Sequence, residues 1–294
     1  MKLLVRHQTT YRYPASAGRV AMRLKLMPAD CAMQKVLEWQ VTVNGEPVEG
    51  FRPNSLGEME AIWVRHDRMD DAVIVAEGLV ETYDTSGVLG PASGAVHPHY
   101  FVRDTPLTRA SEAIRAMASA LPQDGGMLTW LHLLCAAVRD AVAYRSGVTT
   151  SQTEAAEAFA LGAGVCQDHA QIFIAGARAM GVPARYVTGY LLAQEGMALH
   201  ETHAWVEAWL PDLGWVGFDP SNRVCVTDHY LRLASGLDAD DAAPIRGFVT
   251  VAGDIWIDAD VRIAQAEEGV EERQLQRQQQ QCAQPSIPQA CTNG

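Results

Sequence analysis

Along the first third of the chain, apolar positions come in short β-branched or aromatic runs. VLEWQVTV (36–43), EAIWVRH (60–66) and AVIVAEGLVETY (72–83) are separated by NGEP, RPNSLGE and VLGPASGAVHP, which are rich in turn-forming residues. This pattern predicts an antiparallel, sandwich-like β domain over residues 1–100.

The period then lengthens. TRASEAIRAMASAL (108–121) and MLTWLHLLCAAVRDAVAY (127–144) carry apolar residues at helical spacing. SQTEAAEAFALGAG (151–164) opens on Ser151-x-x-Glu154, a capping-box pattern, and closes on glycines. A fourth helix is predicted from about Cys166 to Met180, with Gly181 and Pro183 just beyond it. Three strand-like runs follow: ARYVTGYLL (184–192), HAWVEAWL (203–210) and WVGFDP (215–220). Helices first and strands afterwards predict an α+β domain over 101–261. From residue 262 the chain turns polar and rich in glutamine, which predicts a disordered tail over 262–294 with at most a short helix.

Composition changes this picture little. At 294 residues, 48% hydrophobic and 20% charged, the chain can bury one large or two ordinary cores. The net charge of −12 argues against nucleic acid or an anionic membrane as the main partner. MKLLVRHQTTYRYP has four apolar residues before Arg6, too few for a signal-peptide core, and no later segment has the apolar length to span a bilayer. A cytoplasmic location and six free thiols are therefore expected. Oligomeric state leaves no mark on the sequence.

Among those thiols Cys166 stands apart. It follows Gly162 and Gly164 and heads the apolar helix QDHAQIFIAGARAM, where uncapped N–H groups and the helix dipole favour a thiolate. Buried cysteine more often acts as a small hydrophobe, and Cys135 and Cys225 fit that reading. A nucleophile also needs a base and an orienting group. In HETHAWVEAWLPDLGWVGFDPSN, His203, Trp205, Glu207 and Trp209 share one strand face, and Trp215, Gly217 and Asp219 share a face of the next. If the strands form a hairpin through PDLG, pairing 210 with 215 would separate His203 from Asp219. Pairing 209 with 215 would set Asp219 across from Trp205 and diagonal to His203, so this register is predicted.

GVCQDHA, GVPARYVTGYL and HAWVEAWLPDLGWVGFDPSN resemble the bacterial transglutaminase-like proteins. The resemblance covers most of the chain, because a β-rich domain also precedes the core in that group. It implies a papain-like, transglutaminase-like α+β catalytic core with Cys166 as nucleophile, His203 as base and Asp219 as the orienting carboxylate. It further implies acyl transfer from an amide or peptide through a thioester, with no metal and no organic cofactor. Hydrolysis is favoured over cross-linking. The Cys166 N–H is a natural oxyanion donor, and Tyr144 is the candidate for a second. Trp205 and Trp215 are candidates for walls of the substrate cleft, with core packing as the alternative. One departure is GLDADDAAPIRG (236–247), where Leu237 and Ala239 replace the Arg and Tyr often found in the group.

Two other readings compete. Cys166-x-x-His169 and His200-x-x-His203 supply four zinc-type ligands. Residues three apart face opposite sides of a straight strand, however, so a loop at 198–202 would be required. Alternatively, the chain is a non-catalytic binding or assembly protein whose β-rich domain presents a partner surface.

Overall fold

The computed structural model describes residues 1–91, 95–192, 202–249 and 254–266. Strand β1 (Lys2–Ala17) shows how the first third becomes sheet. Leu3, Val5, His7 and Thr9 are buried at every second position while Arg6 is exposed, as the pleat requires. It is followed by β2 (Val20–Leu24), β3 (Gln34–Val43), β4 (Met59–Arg65) and β5 (Met69–Thr82). β5 lies between β1 and β3 in one antiparallel sheet, and β2 pairs with β4 in another. Leu3, Val5, Val20, Met22, Leu24 and Ile74 from the two sheets share one apolar core.

Strand β6 (Val88–Gly90) leads to four helices: α1 (Glu112–Ala120), α2 (Gly126–Ala141), α3 (Ala155–Leu161) and α4 (Cys166–Ala179). α3 begins one turn later than expected. Ser151 does not cap it; the Glu157 carboxylate accepts the Glu154 backbone N–H, and the Thr153 hydroxyl closes a turn on the Thr150 N–H. α4 is the buried centre of the core, with Ile172, Phe173, Ile174 and Ala175 wholly inaccessible. It packs among α1, α2, α3 and the antiparallel strands β7 (Ala184–Leu191), β8 (His203–Leu210) and β9 (Gly214–Asp219), whose sheet also holds β10 (Tyr230–Gly236). In that sheet β8 lies between β9 and β7, with β10 beyond β7. A β-rich N-terminal region thus precedes an α+β core, as the resemblance implies.

After the core the chain returns to the N-terminal sheets. β11 (Ile245–Val249) pairs with β2, and β12 (Trp256–Gln265) pairs with β1 along its length. The expected break after residue 261 thus falls inside β12, which continues through Gln265. Composition hid this strand: it is an edge strand rich in charge, and Val261 is its one fully buried residue. Residues 267–294, most of the expected tail, lie outside the described residues.

Candidate active site

The head of α4 is held open by its neighbours. Cys166 is the first helical residue, after Val165. The Asp168 carboxylate accepts the Val165 N–H at 2.7 Å and the Thr149 hydroxyl at 2.7 Å, which caps the helix start. Gly164 is required here because a Cβ on it would lie 2.6 Å from Asp168 Oδ2.

β8 and β9 pair in the register that brings the other two residues together: Trp209 lies opposite Trp215 and Val206 opposite Phe218. His203 Nε2 donates to Asp219 Oδ2 at 2.7 Å, and the same ring faces the Cys166 side chain. Burial works to lower the His203 pKa, but its interactions with Asp219 and Cys166 raise it to about 10. Asp219 is inaccessible to solvent, and burial alone would raise its pKa; the His203 hydrogen bond and charge, with Asn222 and Tyr230, outweigh that and hold it below the usual value. Tyr230 Oη (2.9 Å) and Asn222 Nδ2 (2.7 Å) donate to Oδ2, while the Ser221 and Asn222 N–H groups donate to Oδ1 at 2.9 and 3.2 Å. An acceptor surrounded by so many donors stays ionised. Asn222 was legible in DPSN as an Asx turn on Asp219, whereas Tyr230 left no local signal.

The other expected residues are placed differently. Trp205 is fully buried, stacked 6.3 Å from the His203 ring and edge-on to Tyr230 at 5.5 Å, so it backs the imidazole from the interior. Trp215 packs with Phe101, with the Arg185 guanidinium 4.1 Å from its ring, and lines a separate small cavity. Neither indole walls the cleft in front of the thiol: both rings turn into apolar clusters. Tyr144 is half exposed, opposite Gly164 in a short parallel ladder, with its ring 5.9 Å from His169. Leu237 and Ala239 also stand away from the cleft; the Leu237 carbonyl accepts from buried Arg178 at the far end of α4.

The zinc reading loses a ligand. His169 faces the Val142 carbonyl with Nε2 at 3.0 Å, so that nitrogen carries the proton, and Nδ1 accepts from the Ser221 hydroxyl at 2.9 Å. Both ring nitrogens are therefore occupied, and among the described residues no group of three or more His, Cys, Asp or Glu side chains is arranged to hold a metal ion. His200 lies outside the described residues.

The thiol and imidazole open onto a cleft of about 540 Å³ that runs between the core and the N-terminal sheets. Tyr186 and Thr188 of β7 form one wall, while Thr9 and Tyr11 of β1 with Ala259 of β12 form another. The β-rich region thus shapes the site directly.

Residues 126–220 match the profile of the transglutaminase-like superfamily, and residues 3–81 match that of the bacterial transglutaminase-like N-terminal region. The chain belongs to the bacterial transglutaminase-like superfamily. An uncharacterised protein of Mycobacterium tuberculosis is 26% identical over 83% of this chain and 86% of its own length. The crystal structure of a candidate cysteine protease from Cytophaga hutchinsonii shares the fold at a TM-score of 0.71, with 22% identity and 91% of each chain covered. Membership in this superfamily, which includes cysteine-dependent hydrolases and acyltransferases, is consistent with enzymatic activity.

The cytoplasmic location expected from the N-terminus does not stand. The periplasmic domain of TgpA from Pseudomonas aeruginosa is also similar, at a TM-score of 0.37 and 17% identity over 74% of this chain and 90% of that one. A likeness of this degree assigns no compartment to this chain. Among the described residues no helix is long and apolar enough to cross a membrane.

Proposed function

We propose that the chain is a cysteine-dependent amide or peptide hydrolase of the transglutaminase-like type, with Cys166 as nucleophile, His203 as acid and base, and Asp219 as the orienting carboxylate. The observation that carries this reading is the His203 ring, bound at Nε2 by an ionised, multiply hydrogen-bonded Asp219 and in contact with the Cys166 side chain. With the ring's pKa raised to about 10, His203 holds its proton at neutral pH, facing the Cys166 side chain.

The thiolate adds to the amide carbonyl, and the resulting oxyanion is received by the Cys166 N–H at the head of α4. His203 then gives its proton to the departing nitrogen, the C–N bond breaks, and a thioester remains on Cys166. Water adds to the thioester with loss of its proton to His203; expulsion of the sulfur releases the carboxylic acid and restores the pair. A primary amine in place of water would give cross-linking. Hydrolysis is favoured because water needs no second binding site. The partner is accordingly a peptide or another amide-bearing substrate.

The test is iodoacetamide labelling of the native protein at pH 6, located by peptide mass spectrometry, in wild type and His203→Ala. Fast labelling at Cys166 that the substitution slows is the expected result. Labelling at Cys166 no faster than at Cys282 or Cys291, and indifferent to the substitution, would refute the proposal.

A further inference from the structure

We propose that Thr9 is a substrate-positioning residue of the Cys166 site, its hydroxyl proton directed into the cleft by a hydrogen-bond chain running from Tyr190 through His7. The inference rests on the reading of Cys166 as the acylated thiol and names a further contact for the same substrate.

The direction of the chain follows from its buried end. Tyr190, on β7, is wholly inaccessible, and its Oη lies 3.0 Å from His7 Nδ1. Among the described residues that oxygen has no other hydrogen-bond partner, and burial holds the phenol firmly protonated. A buried O–H must find an acceptor, so Tyr190 donates to Nδ1. His7 is itself buried, which lowers its pKa to about 4 and leaves the ring neutral with a single proton. That proton is therefore on Nε2, which lies 3.1 Å from Thr9 Oγ1 and donates to it. Thr9 has one proton of its own, and with an oxygen already engaged as acceptor it is left to donate elsewhere.

The remaining geometry says where. Thr9 is 94% buried, and it lines the same cleft as Cys166 and His203. On β12 its cross-strand partner is Ala259, the smallest side chain in this stretch, between the apolar Val261 opposite His7 and Ile257 opposite Tyr11. A donor whose direction is fixed in this way, flanked by Val261 and Ile257, suits a carbonyl oxygen. The substrate class that presents a carbonyl beside the scissile amide, with apolar surface on either side, is an extended peptide. In this arrangement Thr9 contacts the substrate, while His7 and Tyr190 act through it. The chain spans the two regions: Thr9 and His7 are on the N-terminal sheet and Tyr190 is on the core.

The experiment compares two alkylating reagents on Cys166 of the full chain: iodoacetamide, which carries no peptide, and a benzyloxycarbonyl-dipeptidyl chloromethyl ketone, which does. The quantity read is the ratio of the peptidyl to the iodoacetamide rate constant in wild type, Thr9→Val, Thr9→Ser and Tyr190→Phe. We expect Thr9→Val to lower the ratio about fivefold, the factor that corresponds to one neutral hydrogen bond. Thr9→Ser, which keeps the hydroxyl, should restore it, and Tyr190→Phe should lower it by a smaller factor. A loosened fold would slow both reagents together and leave the ratio unchanged, which overturns the inference, as does a ratio unchanged for any other reason. If iodoacetamide labelling in wild type is slow and indifferent to His203→Ala, the reading of Cys166 fails instead, so the two failures are distinguishable.

Discussion

Replacing Asp219 by Asn keeps the shape of the side chain and removes its charge. Every group around the carboxylate is a donor: the His203 ring, Tyr230, the Asn222 amide and two backbone N–H groups. The amide oxygen of an Asn would stay with the two backbone N–H groups, because they cannot reorient. Its NH₂ would then face His203 Nε2, which must become an acceptor. The imidazole proton moves to the nitrogen facing Cys166, and the ring can no longer take the thiol proton. The magnitude follows from the imidazolium. Raising its pKa from 6.5 to about 10 corresponds to about 5 kcal/mol of preference for the charged ring, shared between Asp219 and Cys166. If Asp219 supplies about half, its loss costs roughly 2–3 kcal/mol, or on the order of 30- to 150-fold in rate. The assay is iodoacetamide labelling of Cys166 at pH 6, followed by the urea midpoint to show that the variant is folded. A folded Asp219→Asn protein whose Cys166 reacts within about threefold of the wild-type rate would refute the tautomer argument and the role given to Asp219.

Stability should vary with pH in a way that His203 and His7 set between them. His203, with its pKa raised to about 10, contributes stability that is complete below about 6.5 and lost as pH rises through 10, whereas His7, lowered to about 4, makes the fold less stable as pH falls from 6.5 towards 4. Urea midpoints should therefore peak near pH 6.5, and the alkaline loss should disappear in His203→Gln. Glu58, from the N-terminal region, accepts both terminal nitrogens of buried Arg232 at 3.0 and 2.7 Å and the Ser235 hydroxyl at 2.5 Å. Glu58→Ala leaves that guanidinium partly uncompensated and should cost about 3–5 kcal/mol, lowering the melting temperature by about 10 °C in calorimetry. Gly164→Ala should drive the Asp168 cap from the head of α4, costing about 2 kcal/mol in urea titration and slowing Cys166 labelling.

Much of the site was legible because its information is local. Glycines before Cys166, an apolar run after it and a glycine at 181 are enough to start and stop a helix. Alternation along HAWVEAWL and WVGFDP, joined by a short turn, restricts the hairpin to two registers, and only one unites His203 with Asp219. The α3 start was misjudged for an equally local reason: Ser151 and Glu154 fit a capping box, but Thr150 and Thr153 close a competing turn one step earlier.

The sequence by itself thus determined the elements, the face each side chain takes and, through the hairpin, the pairing of base and carboxylate, since each depends on residues close in the chain. Which faces meet was decided only by the tertiary structure. Tyr190 and His7 are 183 positions apart, Arg232 and Glu58 are 174 apart, and β12 finds the edge of β1 across nearly the whole chain. No local period encodes such contacts. They form when sheets and helices bury their apolar faces together, and the polar groups carried inside must then find partners.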